Sequence, residues 1–160
     1  MTGVWLTTLL LAVLPISELR GAIPYAVAHD IPLVTAALVS MGANALVPLF
    51  AALFLNSIHR LLSRIPWYSR FFDSVIERAR HKVHEKIERY GYIGLLIFVA
   101  IPLPVTGAWT AALGAWVLDL SPSKSFLAIA GGVIVAGIIV SVLVAAWGAG
   151  AQTIFFKPIR

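Results

Sequence analysis

The 160-residue chain has no cysteine. Disulfide frameworks, Cys-type zinc sites and iron–sulfur clusters are therefore excluded, and no redox compartment can be read. Charge is also scarce. Asp, Glu, Lys and Arg make up 12% of the residues, about half the share of an ordinary soluble domain. So few charges cannot coat a water-facing surface, which argues against a soluble globular enzyme and against a free-standing nucleic-acid binder. The usual catalytic signatures are missing too: no Walker A loop, no H-E-x-x-H, no G-x-S-x-G and no dinucleotide fingerprint. The four histidines, His29, His59, His81 and His84, pair with no nucleophile at membrane depth. The chain is expected not to be an enzyme and to need no cofactor or metal. Any transport would run on a gradient or simply equilibrate its substrate. What is abundant is apolar sequence, at 60% of residues and a mean hydropathy of +0.93. That composition predicts a small all-α polytopic membrane protein in a single integral domain.

The few charges are unevenly placed. Residues 57–91 hold eight of the twelve Lys and Arg and four of the seven Asp and Glu, a net +4 of the total +5. A basic block between apolar flanks reads as a cytoplasmic segment under the positive-inside rule, here of the plasma membrane. Within it, Phe72, Ile76, Ala79, Val83, Ile87 and Tyr90 recur at spacings of three and four. This predicts an amphipathic helix, opened by Pro66 and stopped by Gly91. It would lie in the interface or cap the bundle. His81 with Glu85 and His84 with Glu88 share helical faces, as exposed helices easily allow.

Uncharged runs cover residues 31–56, 92–118 and 125–156, each longer than the roughly 20 residues a helix needs to span. The first apolar run, residues 1–17, meets Glu18 and Arg20 at once and is not read as a signal peptide. Residues 4–28 are apolar, then broken by Pro15, Gly21 and Pro24, then apolar again. Pro15 removes a backbone donor and disfavours helix in the residue before it. Glu18 and Arg20 sit inside that break, where charge at membrane depth calls for a cavity or a partner. The segment is either a re-entrant hairpin with its tip at residues 17–21, or a helix ending near Leu14 followed by an interfacial loop. Residues 92–118 repeat the design, broken at Pro102, Pro104 and Gly107. Each broken segment precedes one long span. The expected order is repeat one at 1–56, a basic linker helix at 57–91 and repeat two at 92–160. Two Pro/Gly-interrupted segments at matching positions point to a transporter site between repeats. If both are hairpins, the halves have inverted topology and the tips meet near the midplane. If both span, four spans leave both termini cytoplasmic, as Lys157 and Arg160 would favour.

The unbroken spans carry packing signals. Asn44 can bond another helix or line a cavity, and Pro48 should kink its span. Gly132 with Ala136, and Gly137 with Ser141, have small-xxx-small spacing. That suits close packing within the chain or a homodimer. Trp5, Trp109, Trp116 and Trp147 are candidate interface anchors or packing residues.

The run Pro15-x-x-Glu18-x-Arg20-x-x-Ile23-Pro24 resembles the first motif of the small multidrug export protein family. Pro102-x-Pro104-x-Thr106-Gly107-x-x-Thr110 resembles its second. That family is in turn distantly similar to the DedA/VTT membrane proteins, associated with lipid flipping and polyprenyl-phosphate recycling, whose paired re-entrant hairpins carry acidic residues on one and arginines on the other. Here the second break has no arginine, so Arg20 alone supplies a cation. The resemblance implies a small secondary transporter or flippase. Arg20 would bind an anionic or lipid-linked headgroup, since guanidinium suits phosphate oxygens. Glu18 would be the proton-coupling residue. Ser17, Thr106 and Thr110 would offer hydroxyls, and Pro24, Pro102, Pro104, Gly107 and Asn44 would shape the site. Expected partners are membrane lipids and a lipid-phosphate or small-molecule substrate. A proton-coupled exporter of cationic drugs and a non-transporting membrane scaffold are the alternatives.

Overall fold

The computed structural model describes residues 2–55, 57, 62, 65–102 and 106–155. Among them every element is helical. They are α1 (Thr2–Val13), α2 (Glu18–Ala28), α3 (Leu33–Ala45), α4 (Val47–Phe54), α5 (Pro66–Ala100), α6 (Ala108–Val117) and α7 (Pro122–Phe155).

Helix length separates the elements into two kinds. Leu33–Phe54 and Pro122–Trp147 are long and apolar enough to cross a bilayer, with 22 and 26 residues. The arms α1, α2 and α6 have 12, 11 and 10 residues. At about 1.5 Å per residue each covers roughly half of a ~30 Å hydrocarbon core.

The short arms pair as hairpins. Val4 and Trp5, early in α1, pack against the buried cluster of Ala26, Ile31 and Ala36 at and beyond the end of α2, so the two helices run antiparallel with the turn at residues 14–17. The break is narrower than the sequence implies. Helix resumes at Glu18 and continues through Gly21 and Pro24, which excludes an interfacial loop over residues 15–24 and moves the tip ahead of residues 17–21. Pro24 is tolerated because only one intrahelical bond, to the Arg20 carbonyl, is forfeited. The second hairpin joins the end of α5 to α6. At its base the Tyr92 hydroxyl accepts from the Ser121 N–H at 3.1 Å. Helix ends at Ala100 and resumes at Ala108, so the break falls where the sequence predicts it.

Within α5 the regular helix breaks at Gly91, the stop the sequence predicts, and an apolar helical arm continues beyond it to Ala100. Gly91 has φ 58° and ψ −139°, a conformation open to glycine alone, and bends the helix where the basic amphipathic part meets the apolar arm. In that basic part Phe72 and Ala79 are buried, while Asp73, Glu77, Arg78 and Arg80 are exposed. The predicted amphipathic face is present. Pro48 sits in the first turn of α4 and, having no N–H, cannot bond the Asn44 carbonyl. The span breaks between α3 and α4 as expected.

Both second arms end the same way. The Asp30 N–H bonds the Val27 carbonyl and the Ile31 N–H bonds the Ala26 carbonyl, at 3.2 and 3.1 Å. After α6 the Asp119 N–H bonds Trp116 and the Leu120 N–H bonds Ala115, at 3.2 and 3.0 Å. Each is a Schellman stop with an aspartate in the left-handed region, at φ 64° and 51°. From these stops the chain enters the long helices in opposite directions. The α3–α4 pair leads from the first hairpin's base to a groove beside Asp119, and α7 leads from there back to Trp147 beside Ala28.

Small residues set the packing of α7. A Cβ on Gly132 would lie 2.6 Å from the Leu96 carbonyl oxygen, and one on Gly137 would strike Met41. Both glycine faces are thus filled from within the chain. Large apolar side chains on the outside, such as Leu6, Val34, Leu38, Leu53, Leu127 and Val142, are more than half exposed. Such a belt suits lipid and not water.

Candidate functional site: the meeting of two hairpin tips

Glu18 opens α2 with φ 50°. A non-glycine residue in that region carries a strain of about 1–3 kcal/mol and persists only where its surroundings hold it. Here they do. The carboxylate is buried, with 6% of the residue exposed. It accepts from the Trp109 N–H at 3.2 Å, and the Ala108 N–H faces it too. The first four N–H groups of a helix have no partner within it, and the helix dipole favours an anion there. Glu18, from one hairpin, therefore caps α6 of the other.

Gly107 makes the approach possible. Its backbone is extended (φ 171°), so conformational freedom is not the reason for glycine. Space is: a Cβ would stand 2.6 Å from the Glu18 carboxyl carbon.

The tips exchange two more contacts. Trp109 Nε1 donates to the Val13 carbonyl at 2.6 Å, closing one of the open carbonyls at the end of α1. Asn44 Nδ2 closes its neighbour, the Ala12 carbonyl, at 2.7 Å. The Arg20 guanidinium donates to the Thr106 carbonyl and, at 3.3 Å, to Thr106 Oγ1. Thr106 Oγ1 in turn donates to the Ile101 carbonyl at 2.8 Å. Both residues of the first motif's charge pair are thus spent on the second motif.

A groove of about 600 Å³ runs from this junction between α2 and α7. Arg20, Pro24 and Pro102 line its inner end, and Val140, Leu143 and Trp147 line its far wall. Arg20 is the one charged side chain among the described residues that line it.

The structure thus brings Glu18, Arg20, Thr106 and Gly107 together and sets Pro24, Pro102 and Asn44 beside them. Ser17 is half-buried next to Gly21. Thr110 lies one turn into α6 and is half-buried. Pro104 falls outside the described residues. Sequence reasoning missed Trp109 as a tip contact. The signal available was its place three residues after Thr106, in the first turn of a helix after a break. Among the described residues no cluster of His, Cys, Asp or Glu could hold a metal.

A family model described as "Putative small multi-drug export protein" matches residues 18–139, from Glu18 to the middle of α7. Nothing matches among curated proteins or among solved structures.

Proposed function

The chain belongs to the small multi-drug export protein family, and on that premise we propose that it is a small secondary transporter of an anionic amphiphile, with the joined hairpin tips as its site. The family name suggests an export role, and the family with the two apolar helices indicates a membrane protein. One observation carries the choice of substrate class. Among the described residues that line it, the groove leading to the junction is apolar along its length and carries one cation, Arg20, at its inner end. A lipid-phosphate-like molecule matches both features, its chain along Val140, Leu143 and Trp147 and its phosphate on the guanidinium.

In this reading both broken segments are re-entrant and the halves are inverted repeats. Support comes from arms of half-membrane length, from the twin Schellman stops at Asp30 and Asp119, and from the opposed courses of α3–α4 and α7. The basic part of α5 lies on the cytoplasmic side of the plasma membrane. Glu18 serves as the coupling residue. Ionised, it accepts from the α6 N-terminus and holds the tips together. Protonated, it gives up the charge-assisted part of those bonds, and the tips can separate. Arg20 then exchanges the Thr106 oxygens for those of the phosphate. A cation-drug exporter using Glu18 in this groove fits less well, because Arg20 would repel the drug and the carboxylate is occupied by α6.

The test is transbilayer movement of a short-chain polyprenyl phosphate in proteoliposomes, comparing the native chain with Arg20→Ala and Arg20→Lys. Movement that falls at least tenfold in Arg20→Ala and is partly kept in Arg20→Lys is expected. Equal movement in a folded Arg20→Ala protein overturns the assignment.

A further inference from the structure

The groove that ends at Arg20 has a direction. On α2 its lining runs from Arg20 through Pro24 to Ala28, and on α7 from Val140 to Trp147. Both lead from the meeting of the tips toward the base of the first hairpin. The groove therefore follows the α2 axis for about 12 Å, the rise of the helix from position 20 to position 28. An extended chain advances roughly 1.1–1.2 Å per bond, taking three bonds to a residue, so about ten bonds reach from one end to the other.

The two ends differ in charge. Arg20 stands at the inner end, half-buried. The outer end offers Ala28 and Trp147, both exposed, and no cation among the described residues that line it. Two residues past Ala28 comes Asp30, also exposed. A phosphate at the inner end meets a guanidinium. A phosphate at the outer end meets an apolar rim with a carboxylate close by in the chain. The bound amphiphile thus has its head at the tips and its tail toward the base of the first hairpin.

That polarity selects a leaflet. A lipid in the leaflet beside the base of the first hairpin has its head at that surface and its tail at the midplane, opposite to the groove. A lipid of the other leaflet already has the polarity of the groove. We propose that the amphiphile is drawn from the leaflet on the side of the basic part of α5, and that it enters the Arg20 groove tail first, without inverting. A chain of about ten carbons then ends beside Trp147, and a longer one emerges past it. This rests on the anionic-amphiphile reading and on the re-entrant topology proposed with it.

The probe is decyl phosphate carrying a photoreactive diazirine at the far end of its chain, used with the full chain in phosphatidylcholine nanodiscs. Adducts are mapped by mass spectrometry. Adducts between Leu143 and Trp147 that unmodified decyl phosphate competes away are expected. They should fall at least tenfold in Arg20→Ala and less in Arg20→Lys, which keeps the charge. In sealed proteoliposomes, probe supplied to the leaflet on the side of position 74 should label at least tenfold faster than probe supplied to the other. Competable adducts at Arg20 or Pro102 would mean that the head lies outward; they overturn the orientation while leaving the groove a binding site for the anion. Faster labelling from the side of position 29 overturns the choice of leaflet. No competable adduct on the folded native protein overturns this inference and the anionic-amphiphile reading together.

Discussion

Replacing Gly107 with alanine probes the contact on which the whole site depends. The new Cβ would stand 2.6 Å from the Glu18 carboxyl carbon, whereas carbon atoms settle at about 3.5–4.0 Å. An ångström of relief must come from somewhere. Either the carboxylate leaves the Trp109 N–H, now 3.2 Å away, or the hairpins part. The first route sacrifices a hydrogen bond to a charged group, about 1.5–3 kcal/mol. The second pays an overpacking cost of about 1–3 kcal/mol. Gly107→Ala should therefore destabilise the protein by about 2 kcal/mol. Glu18→Ala alone should cost about 0.5–2 kcal/mol, the usual value of a lost helix cap. With the carboxylate gone, Gly107→Ala has nothing to strike, so the double variant should be little worse than Glu18→Ala. The expected coupling is about 1.5–2 kcal/mol, well beyond the ~0.5 kcal/mol within which distant sites add. Unfolding in mixed micelles, followed by tryptophan fluorescence, measures all four proteins. Additive effects would refute the claim that the two tips touch through these residues.

Other outcomes follow from the same geometry. Gly132→Ala should lower stability by more than 1 kcal/mol because its Cβ meets the Leu96 backbone, while Gly42→Ala, with open space around it, should not lower it; thermal melts in detergent compare them. Trp109→Phe loses the bond to the Val13 carbonyl together with part of the indole's packing, so a loss of at least about 1 kcal/mol is expected in the same unfolding assay. Asp30→Gly should raise stability by a few tenths to 1 kcal/mol by relieving the left-handed backbone at φ 64°.

The paired breaks were legible in the sequence because proline and glycine act locally. Pro102 and Gly107 mark the second turn correctly. Pro24 misled, since one proline after the first turn costs a helix a single bond and the surrounding helices stabilise the rest. Gly91 was read correctly: its dihedral pair interrupts the helix where the basic part ends, and the apolar arm carries on beyond the kink. The site was legible as a list of residues and not as an arrangement. Glu18 and Arg20 lie two apart in sequence, which suggests that they pair with each other, yet their described hydrogen bonds go to residues some 90 positions away. No periodicity encodes that. The matching stops at Asp30 and Asp119 were hidden because aspartate in a left-handed cap has no strong sequence signature, and the residues around the two differ.

Sidedness tests the central claim most directly, and a chain without cysteine makes the measurement clean. Ser74 on the basic helix, His29 after α2 and Ser123 after α6 are all exposed. Each is changed to cysteine singly, and labelling with a membrane-impermeant maleimide is read from either side of intact and inverted vesicles. Two re-entrant hairpins place positions 74 and 123 on one side and position 29 on the other. Positions 29 and 123 labelling from the same side, opposite to 74, would mean that the broken segments cross the membrane, and would contradict the account.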